Sequence, residues 1–185
     1  MKYANWLSHM RKIGARTADK LLCAGLDAQE IYHSTNDKLR RFGILTEAQL
    51  SQLDEGRAHF DLDKEYEKLA EKGICYLSRE SPGYPEKLKE LPDPPYGIYY
   101  RGALPEKDAP TVAVVGSRNC STYGSVTAYS IGKALAARGV NIVSGLARGV
   151  DAQSQKGALD ASGKTIGVLG SGVDVCYPPE NLPFL

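Results

Sequence analysis

The chain has 185 residues, enough for one or two domains with a sizeable core, and its 23 basic and 22 acidic residues leave a net charge of +1. That balance, fifteen basic against sixteen acidic residues through Tyr100 and eight against six afterwards, excludes a protein that coats polyanions through bulk charge, so any nucleic-acid contact has to be local. No apolar run approaches the roughly eighteen residues that cross a bilayer, Met1 to Met10 lacks a signal-peptide core, and Cys23, Cys75, Cys120 and Cys176 form no CxxC pair, so a soluble cytoplasmic protein without metal or disulfide framework is expected. The cysteines then read as small apolar fillers.

Residues 1–57 read as a small all-helical domain. Trp6, Leu7, Met10 and Ile13 recur at helical spacing, Gly14-Ala15-Arg16 turns the chain, and Thr17 is placed to cap a second helix carrying Ala18, Leu21 and Leu22. Such a helix, turn and helix is similar to helix-hairpin-helix and sterile-alpha-motif modules. Two readings of Gly14 to Arg16 stand at this point, a turn and a phosphate contact; Trp6 likewise reads as core or as a base-stacking platform. His9, His33 and His59 all fall in the N-terminal helices, away from any nucleophile, and no Ser/His/Asp or HxxxH arrangement occurs.

Residues 58–110 lead into the C-terminal part. From Asp54 to Gly73 acidic and basic residues alternate around Phe60, Tyr66, Leu69 and Ala70, which predicts an amphipathic helix with a solvated face, followed by a strand from Ile74 that joins the main sheet. Seven prolines lie between Ser81 and Pro110, yet Tyr84, Leu88, Tyr96, Ile98, Tyr99 and Tyr100 are too apolar for a flexible linker. An ordered strap is expected, with a short strand near Gly97 to Arg101. Its tyrosines pack against the protein or stack on bases.

Residues 111–185 hold the clearest pattern. Val112 to Val115, Val140 to Val143 and Thr165 to Leu169 are short β-branched runs of the kind seen in fully buried parallel strands, and helical periodicity over Ser125 to Arg138 and Val150 to Leu159 separates them. The spacing is that of βαβ units, hence α/β: part of a Rossmann-like, doubly wound, mostly parallel sheet preceded by the helical domain. Ligands of such sheets bind outside the carboxyl ends of the strands. Those ends carry Gly116-Ser117-Arg118, Ser144-Gly145 with Arg148-Gly149, and Gly170-Ser171-Gly172. Glycine admits close backbone approach, helix N-termini present N–H groups, and arginine matches phosphate oxygens in pairs, so these ten residues form the candidate phosphate edge. Asp151 and Asp174 are candidates to hold the arginines or a ribose hydroxyl, and Lys156 and Lys164 are weaker candidates for phosphate. No GxGxxG and no GxxxxGK[ST] is present, which argues against a nicotinamide or flavin cofactor and leaves no Walker loop; no cofactor is expected.

The segments VAVVGSR, SGLARGVDAQSQKGAL and TIGVLGSGVDVCYPPEN, with GYPEKLKELPDPPYGIYYRG before them, resemble the Rossmann-type core of the DNA-processing protein A family (DprA, also called Smf) across roughly residues 80 to 181. The resemblance implies a protein that is not an enzyme: it binds single-stranded DNA, meets a RecA-type recombinase and serves natural transformation, protecting incoming strands. It also implies a homodimer whose surface lies in further C-terminal strands, which this sequence, ending soon after the third strand, does not contain. The sequence is therefore read as shortened within the core. Gln155 stands where the family usually has His. The alternative is a nucleotide-phosphate-binding enzyme of the phosphoribohydrolase type, whose PGGxGTxxE pattern does not occur here.

Overall fold

A computed structural model describes residues 1–184, and the chain forms two compact units, Met1–Gly102 and the residues from Ala103 onward. In the first unit α1 (Lys2–Ser8), α2 (Ala15–Cys23), α3 (Ala28–His33), α4 (Asn36–Arg40), α5 (Glu47–His59) and α6 (Leu62–Glu71) precede β1 (Cys75–Ser78), the short α7 (Glu86–Lys89) and β2 (Gly97–Tyr100). Polar side chains start the helices: Asp27 and Thr46 each form a capping box, with Glu30 and Gln49, and Thr35 and Asp61 accept from Lys38 and Lys64 N–H groups. Thr17 is not a cap. Helix α2 begins at Ala15, with Gly14 in extended conformation at the cap position, so Thr17 already lies inside the helix and no side chain caps it.

Trp6, Leu21, Ile31, Leu39 and Leu53 are wholly buried in one cluster that also takes Tyr76 from β1 and Tyr96 from the strap. Trp6 is thus core and has no free face for a base. The single helix expected from Asp54 to Gly73 is two, broken at Phe60 and Asp61, where the Asp61 carboxylate accepts the Lys64 N–H and starts a new helix. β1 does not join the main sheet. It pairs antiparallel with β2, Tyr76 opposite Tyr99, because the strap folds back on the helical cluster. Cys23 and Cys75 are exposed and Cys120 and Cys176 half-buried, so none fills a core; each lies at the end of an element or in a loop.

The tyrosines of β1 and β2 give this unit an alkaline limit. Burial pushes the Tyr99 hydroxyl, which donates to Asn5 Oδ1 at 2.7 Å, up to about 12 from an ordinary value near 10.0. Burial raises Tyr76 as well, against the opposing hydrogen bond to Ser8. Both phenols stay protonated longer folded than unfolded, so their contribution is complete below about pH 10 and declines as pH rises towards 12. Titration of tyrosinate absorbance alongside circular dichroism is expected to show these phenols ionising only as the unit unfolds; ionisation at ordinary pH with the fold intact would contradict it.

The second unit is β3 (Thr111–Ala113), α8 (Thr122–Ala136), β4 (Asn141–Ser144), α9 (Val150–Asp160) and β5 (Thr165–Gly167), ending in a 3-10 turn, Pro179–Phe184. The strands are parallel in the order β3-β4-β5, Val112 opposite Ile142 and Val143 opposite Ile166. The two helices lie along each other and both touch β4. Gly132 and Gly157 make that closeness possible: a Cβ on Gly132 would stand 2.0 Å from the Ser154 carbonyl oxygen, and one on Gly157 would stand 2.1 Å from that of Tyr129. Ile142, Ala136 and Ala158 form the small core between. The strands are not all buried on both faces as expected. Ile142 on the central strand is, whereas Val115 and Val168 just beyond the ends of the outer strands are 71% and 62% exposed, since among the described residues each outer strand has a neighbouring strand, β4, on one side alone.

Candidate functional site

The loops at the carboxyl ends of β3 and β4 meet, and a carboxylate draws them together, while the third follows β5 at the same edge of the sheet. Asp151, in the first turn of α9, is buried and accepts the Gly116 N–H through Oδ1 at 3.3 Å and the Gly145 N–H through Oδ2 at 3.1 Å. These two amides are therefore spoken for and are not open phosphate donors. Val150 N–H donates to the Ser117 carbonyl at 3.2 Å, and Gly149, at φ 78°, lets that loop approach so closely that a Cβ would lie 2.2 Å from the same oxygen. The Ser144 hydroxyl donates to the Val114 carbonyl at 2.6 Å, a tie between strands rather than a ligand contact.

The arginines divide sharply. Arg118 is exposed on the loop after β3 and makes no hydrogen bond or ion pair among the described residues. Its neighbour Ser117 accepts the Asn119 N–H at 3.2 Å, which fixes the turn that presents it. Arg148 is also exposed but occupied: its Nε donates to Glu180 Oε1 at 2.5 Å, a partner thirty-two residues away in sequence. Asp151, near Arg148 in sequence, does not hold it, because its carboxylate faces the loop amides. Each member of the Arg148 pair stabilises the other's charge, holding the Glu180 carboxyl below the ordinary range and raising Arg148 further. In the third loop Gly170 and Gly172 are exposed, nothing stands within 4 Å of where a Cβ on Gly170 would be, and the Ser171 hydroxyl donates to the Val175 carbonyl at 3.3 Å.

Other candidates lie elsewhere. Lys164 precedes β5, at the amino ends of the strands, and pairs with Glu106 at 3.0 Å. Lys156 is exposed on α9, and Asp174 is exposed in the turn after β5. Arg16 in the first unit forms two hydrogen bonds to Asp93, at 2.8 and 2.6 Å, so the phosphate reading of Gly14 to Arg16 meets an arginine already paired. Gln155 is buried and ties α9 to the sheet, its amide donating to the Ile166 carbonyl at 3.2 Å.

Sequence reasoning missed the clamp on the β4 loop. Asn181 is buried and donates from Nδ2 to the carbonyl of Leu146 at 2.7 Å, and Leu146 holds a left-handed backbone at φ 55°, rare for a branched residue. The turn at Pro178–Asn181 thus anchors the second loop twice, through Asn181 and Glu180. Two exposed aromatics were missed as well: Tyr123, 80% exposed in the first turn of α8, and Tyr177, 64% exposed and close enough to Arg148 to influence its charge. The Pro-Pro-Glu-Asn and Tyr-Pro strings were in view, but only a long-range pairing gives them a role.

The second unit is thus a Rossmann-like α/β unit whose β3 loop presents an exposed arginine with no partner among the described residues. The sequence model of the family described as DNA recombination-mediator protein A matches residues 75–185, more than half of the chain, and the chain belongs to that family. It is 41% identical to the DNA processing protein DprA of Streptococcus pneumoniae over 120 residues, 65% of this chain and 40% of that protein. To the protein Smf of Synechocystis it is 40% identical over 119 residues, 62% of this chain and 30% of that one. The X-ray structure of S. pneumoniae DprA aligns with 99% of this chain and 62% of its own at a TM-score of 0.76 and 30% identity. A structure concerning the single-stranded DNA binding mode of DNA processing protein A from Helicobacter pylori aligns with 58% of this chain and 47% of its own, at a TM-score of 0.51 and 33% identity. The chain spans less than half the length of these two curated relatives.

Proposed function

We propose that this chain binds single-stranded DNA at the carboxyl ends of β3, β4 and β5 and does no chemistry on it. The observation that carries the reading is Arg118, an exposed guanidinium, unpaired among the described residues, on a loop held by Asp151, Gly149 and Ser117. A backbone phosphate is the ligand that two parallel guanidinium N–H groups fit. Gly170, Ser171 and Gly172 extend the edge, and Tyr123 and Tyr177 offer faces on which bases stack whatever their sequence. The relative from H. pylori, whose structure concerns its single-stranded DNA binding mode, supports the choice of ligand. The same reading places the protein in the cytoplasm, acting in DNA uptake and natural transformation, protecting strands and helping to load a RecA-type recombinase as a homodimer.

The test is fluorescence anisotropy of a labelled oligo-dT titrated with the wild type and with Arg118→Ala over a range of salt. Each phosphate contact contributes about −0.7 to the slope of log K against log salt on single strands, so the variant is expected to bind more weakly with a slope shallower by about that amount. Equal affinity and equal slope at low salt would remove the edge from consideration.

A further inference from the structure

Resting on that reading, we infer that Glu180 is a built-in competitor for the DNA backbone: its carboxylate sits on the Arg148 guanidinium in the place a phosphate would take, and a strand gains Arg148 only by displacing it. Two arginines stand at this edge, on loops that Asp151 holds side by side, yet they differ in one respect. Arg118 makes no pair among the described residues, and Arg148 is closed by Glu180 at 2.5 Å. The pair is open to water, with side chains 56% and 52% exposed, so it is a weak and exchangeable contact rather than a buried strut. A carboxylate and a phosphate oxygen make the same charge-assisted bond to a guanidinium, so one can replace the other without rearrangement of the arginine. The anchor of the turn is separate: Asn181 holds the Leu146 carbonyl next door, so Glu180 can let go while the loop keeps its shape. The first arginine then captures a strand at once and the second joins only against competition. Glu180 therefore sets how tightly, and how salt-sensitively, the strand is held.

The experiment is the same oligo-dT titration with Glu180→Gln and Glu180→Ala, each also made in an Arg148→Ala background, beside Arg118→Ala and Glu106→Gln. Glu106 pairs with Lys164 at the other end of the strands and controls for loss of one negative charge. Thermal midpoints verify that each variant is folded. Freeing Arg148 is expected to tighten binding about two- to five-fold at low salt, the range that the strength of exposed ion pairs implies, and to steepen the salt slope by up to about 0.7. The gain is expected to vanish when Arg148 is alanine, and Glu106→Gln is expected to show none. Binding that is unchanged or weaker in both Glu180 variants overturns the inference. So does a gain that persists without Arg148 or that Glu106→Gln matches, since the general field would then explain it. If Arg118→Ala weakens binding while the Glu180 variants do nothing, only this inference falls. If Arg118→Ala is also silent, the strand-end reading falls with it.

Discussion

Gly132→Ala is expected to destabilise the second unit severely, although alanine in mid-helix ordinarily gains about 1 kcal/mol over glycine. The added methyl would lie 2.0 Å from the Ser154 carbonyl oxygen and 2.8 Å from its carbon, both backbone atoms of α9 that no rotamer change can move. Helices α8 and α9 must separate, and Gly157, whose own Cβ position is 2.1 Å from the Tyr129 carbonyl, lies in the same crossing, so the strain is not relieved alongside. Overpacking of this sort costs about 1–3 kcal/mol where side chains can adjust, and here they cannot; a net loss of about 3 kcal/mol is expected, or roughly 10–20 °C in the midpoint of a unit this size. Ser130→Ala, on the exposed side of α8, is the control and is expected to change the midpoint little. Thermal unfolding followed by circular dichroism decides it. A higher midpoint for Gly132→Ala would mean the helices are not in this contact.

Asp151→Ala is expected to lower stability and DNA affinity together, and the second effect has an informative sign. On charge alone, removing a carboxylate from beside a phosphate site should tighten binding. The carboxylate, however, holds the Gly116 and Gly145 N–H groups, and so holds the Arg118 loop against the Arg148 loop. Its loss leaves two amides without partners and releases both loops, at about 2–4 kcal/mol. Binding by oligo-dT anisotropy is expected to weaken at every salt concentration, with Asp151→Asn intermediate because it keeps one acceptor. Tighter binding in either variant would show that Asp151 acts there as a repelling charge and not as a brace.

What the sequence showed of the fold followed from periodicity. Short β-branched runs, helical spacing between them and glycine at each strand end place β3, β4, β5, α8 and α9 to within a few residues, because those signals are local. Partners are not local. Nothing in the spacing of Cys75 to Ser78 says that it pairs with Gly97 to Tyr100 and not with Thr111 to Ala113, and the strand was accordingly expected in the wrong sheet. The same limit shaped the site. The loops and Arg118 were legible as glycine-rich strand ends, but Asp151 was a candidate to hold an arginine or a ribose hydroxyl, whereas it holds two loop amides and Arg148 reaches across to Glu180. Trp6, Tyr96 and Tyr99 were ambiguous between core and stacking; burial settles Trp6 and Tyr96 and the half-buried Tyr99 is tied to Asn5, while the exposed Tyr123 and Tyr177 passed unnoticed because a single aromatic has no pattern.

The left-handed turn at Leu146 sets an order of events for the ribosome. A branched residue in that conformation costs about 1–3 kcal/mol unless its surroundings hold it, and the bond that holds it comes from Asn181, thirty-five residues later. During synthesis β3, β4 and both helices can be complete while the loop after β4 still lacks its anchor. Only once Asn181 has emerged does the loop gain that bond, so a nascent chain halted before that residue carries the glycines and arginines of the edge without the shape they have in the folded unit.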